Sequence, residues 1–266
     1  MTAKGFLDTG DLSAAIRQSS ADVKAAPLDH AKRTFLFELL CCAGDLDRAA
    51  AQLDVVGGES SDREIAVQPY RNVLEGERRR RLLFSEGRVP GLPKRVPGYT
   101  RFHLEAINRI RVGDYAEARV LLEESEAVRP PVAGTINGER FDDLKDGDDL
   151  LGPFLEVITR NNYSWIPWEA VRSVSIEAPR HLRDLVWIPA RVELEIGPLG
   201  EAFLPMLYAG SYLHQDDRVK LGRMTDWRTD VEGLALASGQ KLLMAGDHDW
   251  PFLEVRQLEF EPSGGE

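Results

Sequence analysis

A short motif recurs three times in the first half of the chain. It reads Gly-Asp, then leucine or tyrosine, then two residues and an alanine, and it starts at Gly10, Gly44 and Gly113. The first two copies are 34 residues apart, and the second and third are 69 apart, which is close to twice that period. A period of this length is typical of repeats that each contribute a pair of stacked helices. The motif therefore predicts a short, degenerate α-α superhelix at the start of the chain.

Each position of the motif has a physical reason in such a helical pair. Glycine tolerates the left-handed backbone of a tight turn, aspartate caps the next helix, and a small alanine lets two helices approach. Apolar residues at helical spacing predict a preceding helix over residues 30–43 and over residues 99–112. The first copy lacks such a helix, since only nine residues precede Gly10. Residues 113–130, GDYAEARVLLEESEAVRP, resemble the second half of a tetratricopeptide repeat, in which Pro130 would end the helix.

Residues 63–84 are predicted to form one or two helices, and they contain the basic run Arg78 to Arg81. Four consecutive helical residues point in four directions, which favours a solvated helix face over the alternative, an anionic docking site. Cys41 and Cys42 are the two cysteines of the chain. Adjacent cysteines rarely form a disulfide, and their apolar surroundings predict packing in the core.

After Pro131 the pattern changes to the two-residue period of strands. Asn137-Gly138 is a two-residue hairpin turn, and residues 190–196 alternate between apolar and charged side chains. Further strands are predicted at 154–159, 163–168, 201–208, 217–224, 240–245 and 252–260, with short helices at 168–173 and 180–185. This half is therefore predicted to be a β-rich α+β domain or a small barrel-like domain.

Charge also separates the two halves. The chain has 33 basic and 44 acidic residues, a formal net charge of −11. Residues 1–131 hold 20 of each, whereas residues 132–266 hold 13 basic and 24 acidic ones. This shift predicts two domains, helical repeats over 1–131 and the β-rich α+β domain over 132–262, followed by a flexible tail at 263–266. Nucleic acid is excluded as a partner, because phosphate binding needs a basic face.

Hydropathy gives no sign of a membrane partner. No apolar run reaches the ~18–20 residues that a membrane span needs. The N-terminal residues lack the apolar segment of a signal peptide. We therefore expect a cytoplasmic protein.

Two acidic segments invite a metal-binding interpretation. Residues 141–149 hold five aspartates, but an EF-hand loop aligned on Gly147 would place Leu144 and Pro153 at ligand positions, which excludes that loop. We interpret the segment as a solvated acidic turn, with a looser cation site as the alternative. Asp247-His248-Asp249 is interpreted as a polar hairpin turn, with a metal site as the alternative. Motifs for nucleotide binding or a serine nucleophile are absent from the sequence, so no catalytic residue, metal or cofactor is predicted.

Large aromatic residues interleaved with charges stand out in the second half. Aromatic and arginine side chains carry much of the energy of protein interfaces, although tryptophans also fill cores, and core packing remains the alternative for each one. We predict a partner-binding set that adds apolar residues of the repeat helices to this group: Phe35, Leu39, Phe102, Trp165, Trp168, Asp184, Trp187, Arg223 and Trp227.

Four segments of the chain resemble the ImpE/TagJ family of accessory proteins of bacterial type VI secretion. They are DGDDLLGPFLEVI (146–158), YSWIPWEAVRSVSIEAPRHLRDLVWIPA (163–190), EAFLPMLY (201–208) and LGRMTDW (221–227). The resemblance implies a cytoplasmic, non-enzymatic adaptor of a contractile secretion machine. It further implies two partners, an N-terminal helix of the small sheath subunit and the hexameric ATPase that disassembles the contracted sheath. The alternative is a generic tetratricopeptide scaffold or chaperone that binds another protein through residues 1–130 alone.

Overall fold

A computed structural model describes residues 1–228, 231–246 and 248–262 of the chain. Helices fill the first part, and antiparallel sheets with short helical turns fill the second. The fold is therefore α+β, with the helical part before the β-rich part, as the sequence predicts. The predicted tail at 263–266 lies outside the described residues. Within the described ranges, no helix is both long enough and apolar enough to cross a bilayer.

Residues 1–131 form seven helices: α1 (Ala3–Asp8), α2 (Leu12–Ala25), α3 (His30–Cys42), α4 (Leu46–Gly57), α5 (Ser61–Glu86), α6 (Thr100–Arg111) and α7 (Tyr115–Val128). The pairs α1–α2, α3–α4 and α6–α7 are helical hairpins that correspond to the three copies of the motif. Helix α5 lies between the second and third hairpins in the chain and belongs to neither. The helices predicted over 30–43 and 99–112 are confirmed by α3 and α6.

The three copies of the motif form the same turn. Gly10, Gly44 and Gly113 have φ angles of +85°, +71° and +81°, which favour glycine. In each copy the following aspartate accepts a hydrogen bond from the backbone N–H three residues further on and so caps the second helix. The alanine that ends each motif is fully buried between helices; these residues are Ala15, Ala49 and Ala118. The predicted role of every motif position is therefore confirmed.

The structure corrects one detail of the helical part and decides between two predicted alternatives in another. The first copy does have a preceding helix, the six-residue α1, because the Thr2 side chain caps it by accepting the backbone N–H of Gly5 at 3.1 Å. Residues 63–84 form one helix and not two, since α5 continues for 26 residues and includes Pro69.

The second part contains thirteen strands within the described residues: β1 (Gly134–Ile136), β2 (Glu139–Phe141), β3 (Leu144–Asp146), β4 (Phe154–Thr159), β5 (Asn162–Pro167), β6 (Val171–Ile176), β7 (Trp187–Leu194), β8 (Gly197–Pro205), β9 (Thr225–Trp227), β10 (Ala237–Gly239), β11 (Leu242–Ala245), β12 (His248–Pro251) and β13 (Gln257–Phe260). Eight of them form an antiparallel sheet in the order β2-β1-β13-β6-β7-β8-β4-β5. Strands β12, β11 and β3 form a second sheet, and β10 pairs with β9.

Most predicted strands are confirmed, one is wrong and one is wrong in part. The turn at Asn137-Gly138 joins β1 to β2, and β4 pairs with β5 along its whole length. Residues 217–224 contain no strand, because the side chain of Asp216 caps the short helix α8 (Asp217–Lys220) by accepting the N–H of Arg218. Residues 252–260 begin with a single 3-10 turn, so the strand there is confined to β13.

Two hydrophobic cores lie on opposite faces of the eight-stranded sheet. Alternation along β4 shows the division, since Phe154 and Ile158 pack beneath the helices while Leu155 and Val157 point into the other core. The core beneath the helices combines residues of α2 to α7 with residues of the sheet. The two proposed domains, 1–131 and 132–262, therefore pack on a shared core.

Helix α5 approaches the sheet most closely at Gly76. A Cβ atom at this position would lie 2.4 Å from Ile158 Cγ2 of β4, so a side chain there would force the helix away from the strand. One turn later, the side chain of Arg80 faces the same strand.

Candidate functional site

Charged side chains are buried where α5 meets β4. Arg80 donates to both carboxylate oxygens of Glu156, from Nε at 2.6 Å and from Nη2 at 2.8 Å. Lys241 Nζ lies 2.6 Å from Glu156 Oε2 and 2.9 Å from Asp146 Oδ2. Tyr163 donates its hydroxyl to Glu156 Oε1 at 2.5 Å. The four ionised side chains are at most 4% exposed; together we call them the buried charge cluster.

The two cations fix the charge state of Glu156. Burial alone would raise the pKa of Glu156, but the charges of Arg80 and Lys241 outweigh burial and lower that pKa to about 2. Glu77 Oε2 also lies 3.6 Å from Arg80 Nη1, so the two cations face three buried carboxylates. Pairing of this kind makes buried charges tolerable. Because each member already holds a partner inside the chain, we interpret the buried charge cluster as the link between helices and sheet.

The cluster corrects the prediction that the run from Arg78 to Arg81 is a solvated helix face. Arg80 is buried together with Val73, Gly76 and Glu77, the positions i−7, i−4 and i−3 on the same helix face. Helical periodicity therefore selects one arginine of the run for the core.

The prediction that residues 141–149 form a solvated turn is also wrong for two of the aspartates. Asp146 is buried against Lys241. Asp148 accepts the backbone N–H groups of Leu150 and Ala237 at 2.9 Å each, and burial raises its pKa to about 7. The carboxylate oxygens of Asp146 and Asp148 therefore attach this acidic loop to the strands around it.

The other acidic segment forms a hairpin. His248 and Asp249 lie at the start of β12, which pairs with β11, whereas Asp247 lies outside the described residues. Over residues 1–228, 231–246 and 248–262, no three His, Cys, Asp or Glu side chains are grouped as a metal ion would require.

Five members of the predicted partner-binding set have buried side chains: Leu39, Trp165, Trp168, Asp184 and Trp187. Trp165 Nε1 donates to the hydroxyl of Tyr163, and Trp187 Nε1 donates to Glu77. Asp184 accepts two backbone N–H groups of the loop before it. The surfaces and polar atoms of these five residues are used within the fold, and their contact with a partner stays a prediction.

The other four predicted residues reach the surface in part. Phe35 and Phe102 are half-buried against the core beneath the helices. Arg223 is exposed, but its Nη2 donates to the carbonyl of Leu7 at the end of α1, at 2.8 Å. Trp227 is 38% exposed. Their contact with a partner stays a prediction.

A groove of about 490 Å³ lies where the helices end and the sheet continues. On one side stands Tyr70 of α5, with Arg183 Cζ 4.5 Å from the centre of its ring. Ser175, Arg191 and Gln257 lie side by side on β6, β7 and β13, and all three line the groove. The opposite face of these strands carries the second core, so the groove is the sheet face that the helices leave open.

The charged side chains that line this groove are mostly basic. Four arginines and a histidine face two acids there: Arg180, His181, Arg183, Arg191 and Arg256 against Glu177 and Asp184. Arg180 pairs with Glu177 at 2.7 Å, and Arg183 pairs with Glu38 of α3. Arg191 and Arg256 have no carboxylate within ion-pair distance in the described part of the chain.

The sequence analysis missed the groove because its residues become neighbours only through strand register. The available signal was the alternation over residues 190–196, which places Arg191 on the face opposite the buried Val192. Nothing in the sequence places Gln257 two strands away from it.

Comparison with known proteins assigns the family. Residues 138–259 match the family described as ImpE protein. The chain is 35% identical to the type VI secretion system accessory component TagJ of Pseudomonas aeruginosa over 263 residues, which cover 99% of this chain and 92% of that protein. It also resembles a crystal structure of a Vibrio parahaemolyticus protein, with a TM-score of 0.88, 26% identity and 97% of both chains covered. Because the similarity to TagJ extends over nearly the whole of both proteins, the chain belongs to the ImpE/TagJ family.

Proposed function

We propose that the protein is a non-catalytic, cytoplasmic accessory component of a type VI secretion system. In this proposal it binds the N-terminal helix of the small sheath subunit and links it to the hexameric ATPase that recycles the contracted sheath. The observation that carries the proposal is the similarity to TagJ along 99% of the chain. Because that similarity includes both the helical and the β-rich part, it supports one role for the whole chain.

The buried charge cluster supports a non-catalytic role. A general acid or base must come within hydrogen-bond distance of its substrate. Arg80, Glu156, Lys241 and Asp146 are at most 4% exposed and bind one another. The buried charge cluster therefore stabilises the contact between the helices and the sheet.

Binding to the sheath helix is the direct test. The full chain is titrated into a fluorescein-labelled peptide of that helix, and the anisotropy is compared with that of a scrambled peptide of the same composition. Saturable binding of the native peptide alone supports the proposal. If neither peptide binds at high micromolar protein, the proposed contact is wrong.

The link to the ATPase needs a separate measurement. The immobilised full chain is incubated with the purified hexameric ATPase, with and without the sheath subunit. We expect the ATPase to be retained in at least one of these conditions. Retention of the sheath peptide without retention of the ATPase under either condition would remove the second half of the proposal.

Trp227 is the exposed aromatic member of the predicted partner-binding set, and the chain offers a matched control for it. Trp227 on β9 is 38% exposed and Met244 on β11 is 39% exposed. Because aromatic side chains dominate interface energies, we expect Trp227→Ala to weaken sheath-peptide binding about tenfold while Met244→Ala leaves it unchanged. Equal effects of the two substitutions would exclude Trp227 from the contact.

The alternative, a generic tetratricopeptide scaffold acting through residues 1–130 alone, has less support. Helices α3, α5 and α6 bury apolar residues in a core that they share with the sheet. A groove-binding helical repeat keeps its concave face free for a ligand. Here the β-rich part covers much of the corresponding face.

A further inference from the structure

We infer that the groove between Tyr70 and strands β6, β7 and β13 binds an acidic peptide segment of a partner protein. This goes beyond the proposed function, because it specifies the chemistry of a contact and not the protein that supplies it. The inference rests on three features of the groove: its charge, the spacing of its cations and its hydrogen-bonding groups.

The first feature is a local excess of positive charge on an acidic protein. The chain carries a formal net charge of −11. In the groove, Arg180 and Arg183 are paired with Glu177 and Glu38, whereas Arg191 and Arg256 have no carboxylate within ion-pair distance in the described part of the chain. Arg256 Nη1 donates to the carbonyls of Leu253 and Val255 at 2.8 and 2.7 Å, which holds the guanidinium in place without neutralising it. Arg191 is exposed, and its register neighbour Glu201 on β8 is not within ion-pair distance. A negatively charged ligand therefore complements this face.

The second feature is the spacing of these two cations. Arg191 lies on β7 and Arg256 directly precedes β13, with β6 between them. Two strand spacings separate their backbones by about 10 Å. An extended peptide covers about 10 Å in three residues, so two of its carboxylates can reach both arginines. A groove of about 490 Å³ is also large enough for several residues.

The third feature is a wall that suits a peptide backbone. Ser175 and Gln257, which hydrogen-bond each other at 3.0 Å, present polar groups between the two arginines. Arg183 Nε is buried and has no acceptor among the described residues. Tyr70 offers an aromatic face beside it. Backbone carbonyls of a bound segment would provide acceptors here.

The test is direct binding of a model acidic peptide to the full chain. The probe is a fluorescein-labelled eight-residue peptide of alternating glutamate and alanine, with a lysine-alanine peptide as its charge control, measured by anisotropy at low ionic strength. The variant Arg191→Glu is compared with Arg172→Glu, since Arg172 is an exposed arginine on neighbouring β6 that does not line the groove. Neither arginine has a carboxylate within ion-pair distance among the described residues, so both variants are expected to fold, which circular dichroism checks.

We expect the acidic peptide to bind and the basic one not to bind. Arg191→Glu should raise Kd at least about tenfold, Arg172→Glu should leave Kd nearly unchanged, and salt should weaken binding because the contact is electrostatic. The inference is overturned by absence of acidic-peptide binding at high micromolar protein, by equal effects of the two variants, or by inorganic phosphate that competes at the peptide's own concentration. A sheath-helix peptide tested in parallel separates the two proposals, because its failure to bind leaves the result for the glutamate peptide intact.

Discussion

Arg80 and Glu156 form two parallel hydrogen bonds of 2.6 and 2.8 Å inside the core that joins the helices to the sheet. Both side chains are almost completely buried, and Lys241 forms a second salt bridge with the carboxylate of Glu156. Removing one charge from such a group leaves the others buried without compensation, which costs far more than the pair itself contributes. The contact therefore makes the position of the sheet relative to α5 sensitive to a single substitution.

We expect Glu156→Gln to lower the free energy of unfolding by about 3–5 kcal/mol, because Arg80 and Lys241 lose their shared counter-charge. Urea unfolding followed by circular dichroism measures the change. The control is Glu86→Gln, which removes the partner of Arg88 in an ion pair whose side chains are 51% and 66% exposed. That surface pair should contribute less than about 1 kcal/mol. Similar losses in the two variants would contradict a structural role for the cluster.

This ion pair also marks the limit of what could be predicted from the sequence. The turn at Gly44, its capping aspartate and its buried alanine are local features, and local physics determines them. Glu156 and Arg80 are 76 residues apart, and only the docking of α5 on β4 brings them together. The spacing along the helix does indicate burial of Arg80, since Arg80 shares a face with Val73 and Gly76.

The buried tryptophans of the predicted partner-binding set show a related limit. Trp165 and Trp187 belong to that set because aromatic residues beside charges are typical of interfaces. The same composition occurs in a core that contains charged groups, where indole N–H donors need partners. Trp187 donates to Glu77 across the two halves of the chain, 110 residues apart in sequence. Composition alone does not distinguish an external interface from an internal one.

Gly76 provides a second test of the contact between helix and sheet. Alanine is favoured over glycine in a helix by about 1 kcal/mol, so Gly76→Ala would stabilise an isolated α5. In the folded chain the added Cβ would lie 2.4 Å from Ile158 Cγ2, and overpacking of this kind costs about 1–3 kcal/mol. We therefore expect a net loss of stability in urea unfolding.

A double-mutant cycle identifies the cause of that loss. In the Ile158→Ala background the clash is absent, so Gly76→Ala should be neutral or stabilising there. Gly98→Ala is the control, since no atom lies within 4 Å of the added Cβ. Additive effects of Gly76→Ala and Ile158→Ala would contradict a direct clash.

The buried imidazole of His103 is expected to make the free energy of unfolding depend on pH. Its Nδ1 lies 2.9 Å from the carbonyl of Leu150, which can only accept, so Nδ1 carries the proton and Nε2 accepts from Ser125 at 2.7 Å. Burial lowers the pKa of His103 to about 4 from an ordinary 6.5. Between these two values the unfolded chain binds the proton and the folded chain does not, so the contribution of His103 to stability falls as the pH drops from about 6.5 to about 4. Asp148, whose pKa burial raises to about 7, contributes in the opposite direction over this range.

The expected contribution of His103 over this range is on the order of 3 kcal/mol. His103→Gln removes this titration, so the difference in unfolding free energy between the variant and the unsubstituted protein should change by about that amount between pH 6.5 and pH 4. His248→Gln is the control, because that side chain is exposed. The pH profile is obtained from urea unfolding at several pH values. A His103→Gln profile parallel to that of the unsubstituted protein would show that the imidazole does not titrate as expected.

The reactivity of the two cysteine thiols tests whether the core around α3 is closed. Cys41 and Cys42 are 3% and 1% exposed, and burial raises the pKa of Cys42 to about 12. The thiolate is the reactive form, so we expect neither thiol of the folded chain to react with a chromogenic disulfide reagent at pH 8, and both to react after unfolding in guanidinium. The Glu156→Gln variant should react faster than the unsubstituted protein, because its core opens more often. Rapid labelling of the folded, unsubstituted chain would contradict the buried position of α3.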